Sequence, residues 1–181
     1  ACGLHQAGLQ RGEHMIVVGA NRPRLSATML PAPALGANPA PLYPDAPPAE
    51  CVFPITNAEV RFCLVEDQEQ VDKMLEVRES CPQLAHIYYD DPRGLRNYHE
   101  AGLTALDELL TAGKSFAASH PTFFKDEVAK AHVTDVAAML SAYGTTGNPK
   151  GVVNTHSSLI DRAQAGAEFD KHTSDEEVLA Y

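Results

Sequence analysis

Short apolar runs separated by longer amphipathic stretches set the pattern of this chain. Met15-Ile16-Val17-Val18-Gly19, Arg61-Phe62-Cys63-Leu64-Val65 and residues 84–89 are brief and nearly continuously apolar, which predicts strands buried on both faces. Residues 38–42 add a short strand, and Val136-Ala137-Ala138-Met139-Leu140 adds another. Between them lie helix signals. Leu4 to Leu9 reads as the end of a helix followed by a glycine turn. Asn21-Arg22-Pro23 resembles a helix start, with Leu25, Met29 and the run to Leu35 facing inward and Gly36 as the stop.

Pro31 and Pro33 oppose a single helix there, because each would cost about 3 kcal/mol in a helix interior. The helix therefore either ends near Met29 or is destabilised. Further on, residues 46–57 predict a helix opened by Pro47-Pro48. Asp67 with Gln70 forms a capping-box pattern, Val71, Met74 and Leu75 share a face, and Glu69 stands four residues before Lys73. Pro82 closes that helix. Residues 103–110 predict a helix with four leucines inward, 112–122 a looser connector, and 123–131 a short helix. Thr155 is placed to cap a helix running to about Asp170, with Leu159, Ile160, Ala163 and Ala167 as its buried face. Residues 178–181 look like the start of one more strand. Strand and helix alternating in this way predict an α/β fold with a largely parallel sheet flanked by helices.

Composition narrows the functional classes. A formal net charge of −10 argues against nucleic acid or an anionic membrane as partner, since both require a basic face. No apolar run approaches a membrane span, and no secretory signal is visible. Cys2, Cys51, Cys63 and Cys81 show neither CxxC nor zinc spacing, so free thiols in a reducing, cytoplasmic setting are expected. The paired Asp90-Asp91 reads as a solvated turn rather than a metal site, and His156 and Asp161 read as helix-start and surface residues. No metal site is expected from this segment.

The chemistry concentrates in Ser141-Ala142-Tyr143-Gly144-Thr145-Thr146-Gly147-Asn148-Pro149-Lys150-Gly151, with strands before and after it. Gly144 and Gly147 permit backbone conformations closed to other residues, so successive N–H groups can turn inward around an anion. Thr145 and Thr146 offer hydroxyl donors and Lys150 a mobile charge. The pattern predicts a phosphate cradle. It is not the nucleotide P-loop, which needs Gly before the lysine and Ser or Thr after it, where Pro149 and Gly151 stand.

Gly144 to Gly151 resembles the signature loop of the adenylate-forming (AMP-binding) acyl-CoA synthetase superfamily. The stretch from Gly8 through Pro23 is similar to the family's opening motif. Leu35-Gly36-Ala37 with Pro41-Leu42-Tyr43, and residues 65–73, resemble its long-chain fatty-acid branch. The resemblance implies that residues 1–181 are part of the N-terminal adenylation domain, the C-terminal part and cap domain being absent. It implies activation of a fatty acid with Mg2+ and ATP to an acyl-adenylate, which coenzyme A then converts to a thioester. On it, Gly144, Thr145, Thr146, Gly147, Asn148, Pro149 and Lys150 bind the ATP phosphates, and peripheral membrane contact by the longer parent stays open. The family's adenine, magnesium and ribose residues and its catalytic lysine all fall downstream, so no catalytic residue is assigned here. Ala142 and Tyr143 depart from the small hydroxyl residues usual before the first glycine. An aryl-CoA ligase, an adenylation domain of another type, or a degenerate nucleotide-binding module are the alternatives.

Overall fold

The computed structural model describes residues 1–142, 150–173, 175 and 177. Its frame is a five-stranded parallel sheet in the order β2-β1-β3-β4-β5: β1 His14–Val18, β2 Asn38–Leu42, β3 Phe62–Val65, β4 His86–Tyr89 and β5 Leu103–Ala105. A parallel sheet must cover both faces, and the twofold alternation of side chains along each strand divides the core accordingly. Ile16, Val18, Cys63, Val65 and Ile87 point to one face, where α4 (Pro48–Asn57) supplies Cys51 and Ile55 and α5 (Gln68–Ser80) supplies Val71, Met74 and Val77. Met15, Val17, Phe62, Leu64 and Tyr88 point to the other. They meet Leu4 of α1 (Cys2–Gln6), Leu25 of α2 (Pro23–Met29), Ala32 of α3 (Pro31–Ala34) and Leu106 of α6 (Leu106–Ser119). Each fully buried aliphatic or aromatic side chain contributes roughly 1.5–3 kcal/mol by leaving water.

The prolines resolve the ambiguity in the first crossover. The helix from Pro23 stops at Met29, and Pro31 opens a second short helix at the position where its missing N–H is least costly. Gly36 follows in the left-handed region, at φ 71°. The fourth crossover departs from expectation. Residues 103–105 are strand rather than helix, paired in register with Ile87 to Tyr89. Three residues carry too little periodicity to announce a strand; the open edge of β4 imposes it. The helix then continues through the stretch expected to be a connector, reaching Ser119. Contact with α1 sustains it, because Gly3 and Gly113 lie where neither helix could tolerate a Cβ. A last helix on this side, α7 (Phe123–Val128), packs toward α3.

Two local expectations also change. Asp67 does cap α5, accepting from the Gln70 N–H at 3.3 Å, but the Gln70 side-chain oxygen is buried without a partner, so the box is half closed. Lys73 does not reach Glu69; its ammonium is drawn inward and donates to the carbonyl of Pro44. The four cysteines are free thiols; Cys51, Cys63 and Cys81 are buried, and burial pushes the Cys63 thiol up.

Beyond the sheet, β6 (Val136–Ala142) and β7 (Lys150–Thr155) form an antiparallel pair that packs beside β2 without joining its ladder. The final helix, α8 (His156–Asp170), starts where Thr155 accepts from the Ser158 N–H at 3.2 Å, as expected. Its apolar face is not buried: Leu159 is 38% and Ile160 52% exposed. The helical period was legible, but among the described residues no element covers that side. The strand expected over 178–181 lies outside the described residues. Among the described residues no helix is long and apolar enough to cross a membrane.

Two tests follow from this packing. Gly102 sits at φ 78° with its absent Cβ directed at the carbonyl of Ala85, so Gly102→Ala is expected to lower the unfolding free energy measured in urea by well over the roughly 1 kcal/mol of a simple left-handed substitution. His86 stacks on Phe62 at 4.6 Å, and burial, then the nearby Arg61 charge, depress its pKa. The unfolded chain therefore takes up a proton near the ordinary value of about 6.5 that the folded chain resists. This contribution is fully present above that value and is lost as pH falls below it. His86→Phe should flatten the fall in urea stability between pH 7.5 and 5.5.

Candidate functional site

In the order 2-1-3-4-5 the chain leaves β1 on one side to reach β2, then crosses back over β1 to form β3. The crevice outside the carboxyl ends of the strands at such a switch is where open α/β sheets bind ligands. Here that edge is built by the β1–α2 turn, Gly19 to Asn21, and by the turn after β2, Tyr43 to Asp45. Together with Leu140 and Ser141 at the end of β6 they enclose a cleft of about 760 Å³.

The β6–β7 ladder runs to Ser141 against Gly151 and Ala142 against Lys150. In sequence, residues 143–149 join these two paired ends, and Leu140 and Ser141 of β6 line the cleft. Gly144, Thr145, Thr146, Gly147, Asn148 and Pro149, and the departing residue Tyr143, lie outside the described residues. Lys150 is described: it begins β7, it is exposed, and no acid pairs with it among the described residues. Gly151 beside it admits the Met139 side chain where a Cβ would stand.

Three acids near this edge are, by contrast, already committed. Glu66, 8% exposed at the end of β3, accepts the Ala20 N–H at 2.6 Å and pairs with Arg22. Gly19 passes so close to Glu66 that a Cβ would collide with it. Asp90 pairs with Arg24 at 2.6 Å, and Arg24 also reaches Asp107. Asp91 accepts from the Arg93 side chain and backbone, which hold its carboxyl down to about 2. The paired aspartates do start a turn, Asp91 accepting the Arg93 N–H two residues on, and both are also ion-paired. Among the described residues no cluster of three or more His, Cys, Asp or Glu is arranged to hold a metal ion.

Other polar groups serve the hairpin. Asn154, 3% exposed, donates to the Val152 carbonyl at 3.1 Å and accepts from Arg162 of α8 at 3.1 Å. His156 donates its backbone N–H to the Asp135 carbonyl, and Asp161 is exposed. Sequence reasoning missed Glu66 and Asn154. Glu66 had one signal, an acid immediately after a wholly apolar strand, at its carboxyl end.

A five-stranded parallel sheet with an antiparallel strand pair beside its carboxyl-edge cleft defines an α/β protein with a ligand crevice at its switch point. The chain belongs to the AMP-binding enzyme family, whose profile matches residues 1–181. It is 27% identical over 178 residues to the long-chain-fatty-acid–CoA ligase ACSBG2 of Homo sapiens, covering 97% of this chain and 26% of that protein. It is 27% identical over 160 residues to the long-chain-fatty-acid–CoA ligase FadD15 of Mycobacterium bovis, covering 88% of this chain and 25% of that one. The chain thus spans about a quarter of the length of these relatives. Among solved structures, apo MbtA from Mycobacterium smegmatis superposes with a TM-score of 0.72 at 21% identity, over 97% of this chain and 30% of that chain. The anthranilate CoA ligase AuaEII, solved with anthranoyl-AMP, superposes at 0.68 and 19% identity, over 90% and 29%. These two likenesses establish the fold of adenylate-forming enzymes.

The Glu66 clamp predicts a stability hierarchy. Glu66→Ala leaves the Ala20 N–H without its acceptor and should cost about 1–3 kcal/mol in urea unfolding. Glu66→Gln keeps an acceptor there and should cost less.

Proposed function

We propose that residues 1–181 form the phosphate-binding part of the N-terminal adenylation domain of a ligase that activates a long-chain fatty acid. The observation that supports this reading is the pairing of the strand ends that flank the Gly/Thr motif, Ala142 against Lys150, with Leu140 and Ser141 of the first strand lining the carboxyl-edge cleft. The ligase class rests on the family; the fatty acid rests on relatives whose names specify it.

In the proposed reaction the substrate carboxylate oxygen attacks the α-phosphorus of ATP, the bond to the bridging oxygen breaks, and pyrophosphate leaves with its electron pair. Charge collects on the departing β- and γ-phosphates. The loop N–H groups, the hydroxyls of Thr145 and Thr146 and the ammonium of Lys150 are the groups this segment offers to that charge, while Asn148 and Pro149 shape the turn. Magnesium, when bound, supplies further charge neutralisation on the phosphates, but the described residues offer it no ligand cluster, and its site is proposed to lie in the longer protein. The thiolate of coenzyme A then attacks the acyl carbon and AMP departs, leaving the thioester.

The parent protein should show ATP–pyrophosphate exchange that depends on added carboxylic acid. In a series from acetate to palmitate, with benzoate and anthranilate alongside, the long-chain acids should give the fastest exchange. Preference for the aromatic acids would replace the fatty-acid reading by an aryl one, and no exchange with any acid would favour a degenerate nucleotide-binding module. Lys150→Ala should lower the exchange rate roughly 100-fold or more while leaving the urea midpoint nearly unchanged, because the lysine is exposed. Equal loss of rate and stability would contradict a phosphate role.

A further inference from the structure

Among the described residues the buried charged side chains are Glu66, 8% exposed, and Lys73, 9% exposed. Neither lines the carboxyl-edge cleft, whose two turns are Gly19 to Asn21 and Tyr43 to Asp45. Each is bonded instead to the backbone of one of those turns. Glu66 accepts the Ala20 N–H at 2.6 Å, and the Lys73 ammonium donates to the Pro44 carbonyl. An acid after β3 thus holds the first wall, and a lysine on α5 holds the second.

The partner of Lys73 is not a local one. Glu69 stands one turn earlier on the same helix and is exposed, and Gln70 offers a side-chain oxygen that is buried without a hydrogen-bond partner. The ammonium bypasses both for a neutral carbonyl 29 residues away in sequence. Withdrawing an ammonium from water onto a neutral acceptor is costly. A methionine at this position would escape that cost and join the apolar row of Val71, Met74 and Val77. The turn explains why a donor is needed. From Tyr43 to the start of α4 at Pro48, the chain carries Pro44 and Pro47, which have no N–H to give. Its own tie is the Ala46 N–H on the Tyr43 carbonyl at 3.1 Å. A segment short of donors is anchored by one from outside.

We propose that Lys73 is a positioning residue for ligand binding: by anchoring the Pro44 carbonyl it fixes the second wall of the cleft, and with it the affinity for a phosphorylated adenosine. This rests on the adenylating-ligase reading above, in which ATP and coenzyme A share that chemistry. Leu140 and Ser141, which lead into the Gly/Thr motif, line the same cleft. A loosened Tyr43 to Asp45 turn must be ordered afresh by each ligand, so the loss falls on binding rather than on the chemical step.

Steady-state kinetics of the parent protein test the assignment, with ATP varied in the pyrophosphate-exchange assay and coenzyme A varied in thioester formation. Lys73→Met should raise the KM for ATP or for coenzyme A roughly tenfold, keep kcat within about twofold, and leave the urea midpoint at or above that of the unaltered protein. The arm that responds identifies the ligand the wall serves. Lys73→Arg retains a charged donor and should bring that KM back to within about threefold. Lys73→Gln replaces the methionine variant if the latter fails to fold, with the same expected rise. Unchanged KM in both arms would overturn the assignment. So would a fall in kcat that tracks a fall in the urea midpoint, the mark of a lysine that serves stability alone. Hydrogen exchange reads the anchor without any activity. In Lys73→Met the Ala46 amide should exchange faster while the amides of Ile16 and Val17 in β1 keep their protection. Absence of pyrophosphate exchange in the unaltered parent would end the ligase reading and leave this arm to decide the anchor. An Ala46 amide as protected as before would overturn it.

Discussion

Parallel pairing of five short strands is the constraint on which this structure depends, because every parallel neighbour demands a crossover and every crossover lands on a face. Each strand offers only three to five residues, too few for a stable sheet unless both sides are covered. The apolar runs at β1 and β3 meet that demand. They place Ile16 and Val18 toward α4 and α5, and Met15 and Val17 toward α1 to α3 and α6. The first crossover lies on the second face and the next on the first, and this change of side opens the crevice at the carboxyl edge. The site is a consequence of the winding rather than an addition to it.

At that edge the electrostatics are sorted by commitment. Glu66, Asp90 and Asp91 are each neutralised by an arginine, two of which belong to the turn and helix that follow β1. Such pairs add little stability where exposed, but Glu66 is buried and also takes the Ala20 N–H, so it fixes the course of the backbone that walls the cleft. Lys150 differs in having no acid partner among the described residues, which leaves its charge available at the mouth of the hairpin.

The hairpin itself is supported from behind. Met139 packs toward the core beside Gly151, Asn154 is buried and tied to Arg162, and Thr155 turns the chain into α8. These contacts hold the paired strand ends Ala142 and Lys150 from outside the glycine-rich motif. Val152 and Val153 of the same hairpin and Ile160 of α8 are exposed.

Most of the architecture was legible in the sequence because its signals are local. Continuous apolar runs marked β1, β3 and β4; Pro23, Pro48, Asp67 and Thr155 marked helix starts; and the Gly/Thr motif marked the candidate site by composition alone. What failed was non-local. Leu103 reads as helical until Ile87 offers it a ladder, and residues 112–119 read as a connector until Gly3 and Gly113 let two helices touch. Lys73 seems destined for Glu69 until the Pro44 carbonyl is brought to it, and Glu66 is an ordinary acid until the sheet order sets β3 beside β1. The sequence by itself determined most of the strands and helices, the α/β class and the position of the candidate loop, since backbone preferences and side-chain periodicity act over a few residues. Only the tertiary structure decided the edge strand β5, which polar groups pair, where the cleft opens, and which apolar faces remain uncovered, because each of these depends on groups far apart in the chain meeting across the sheet.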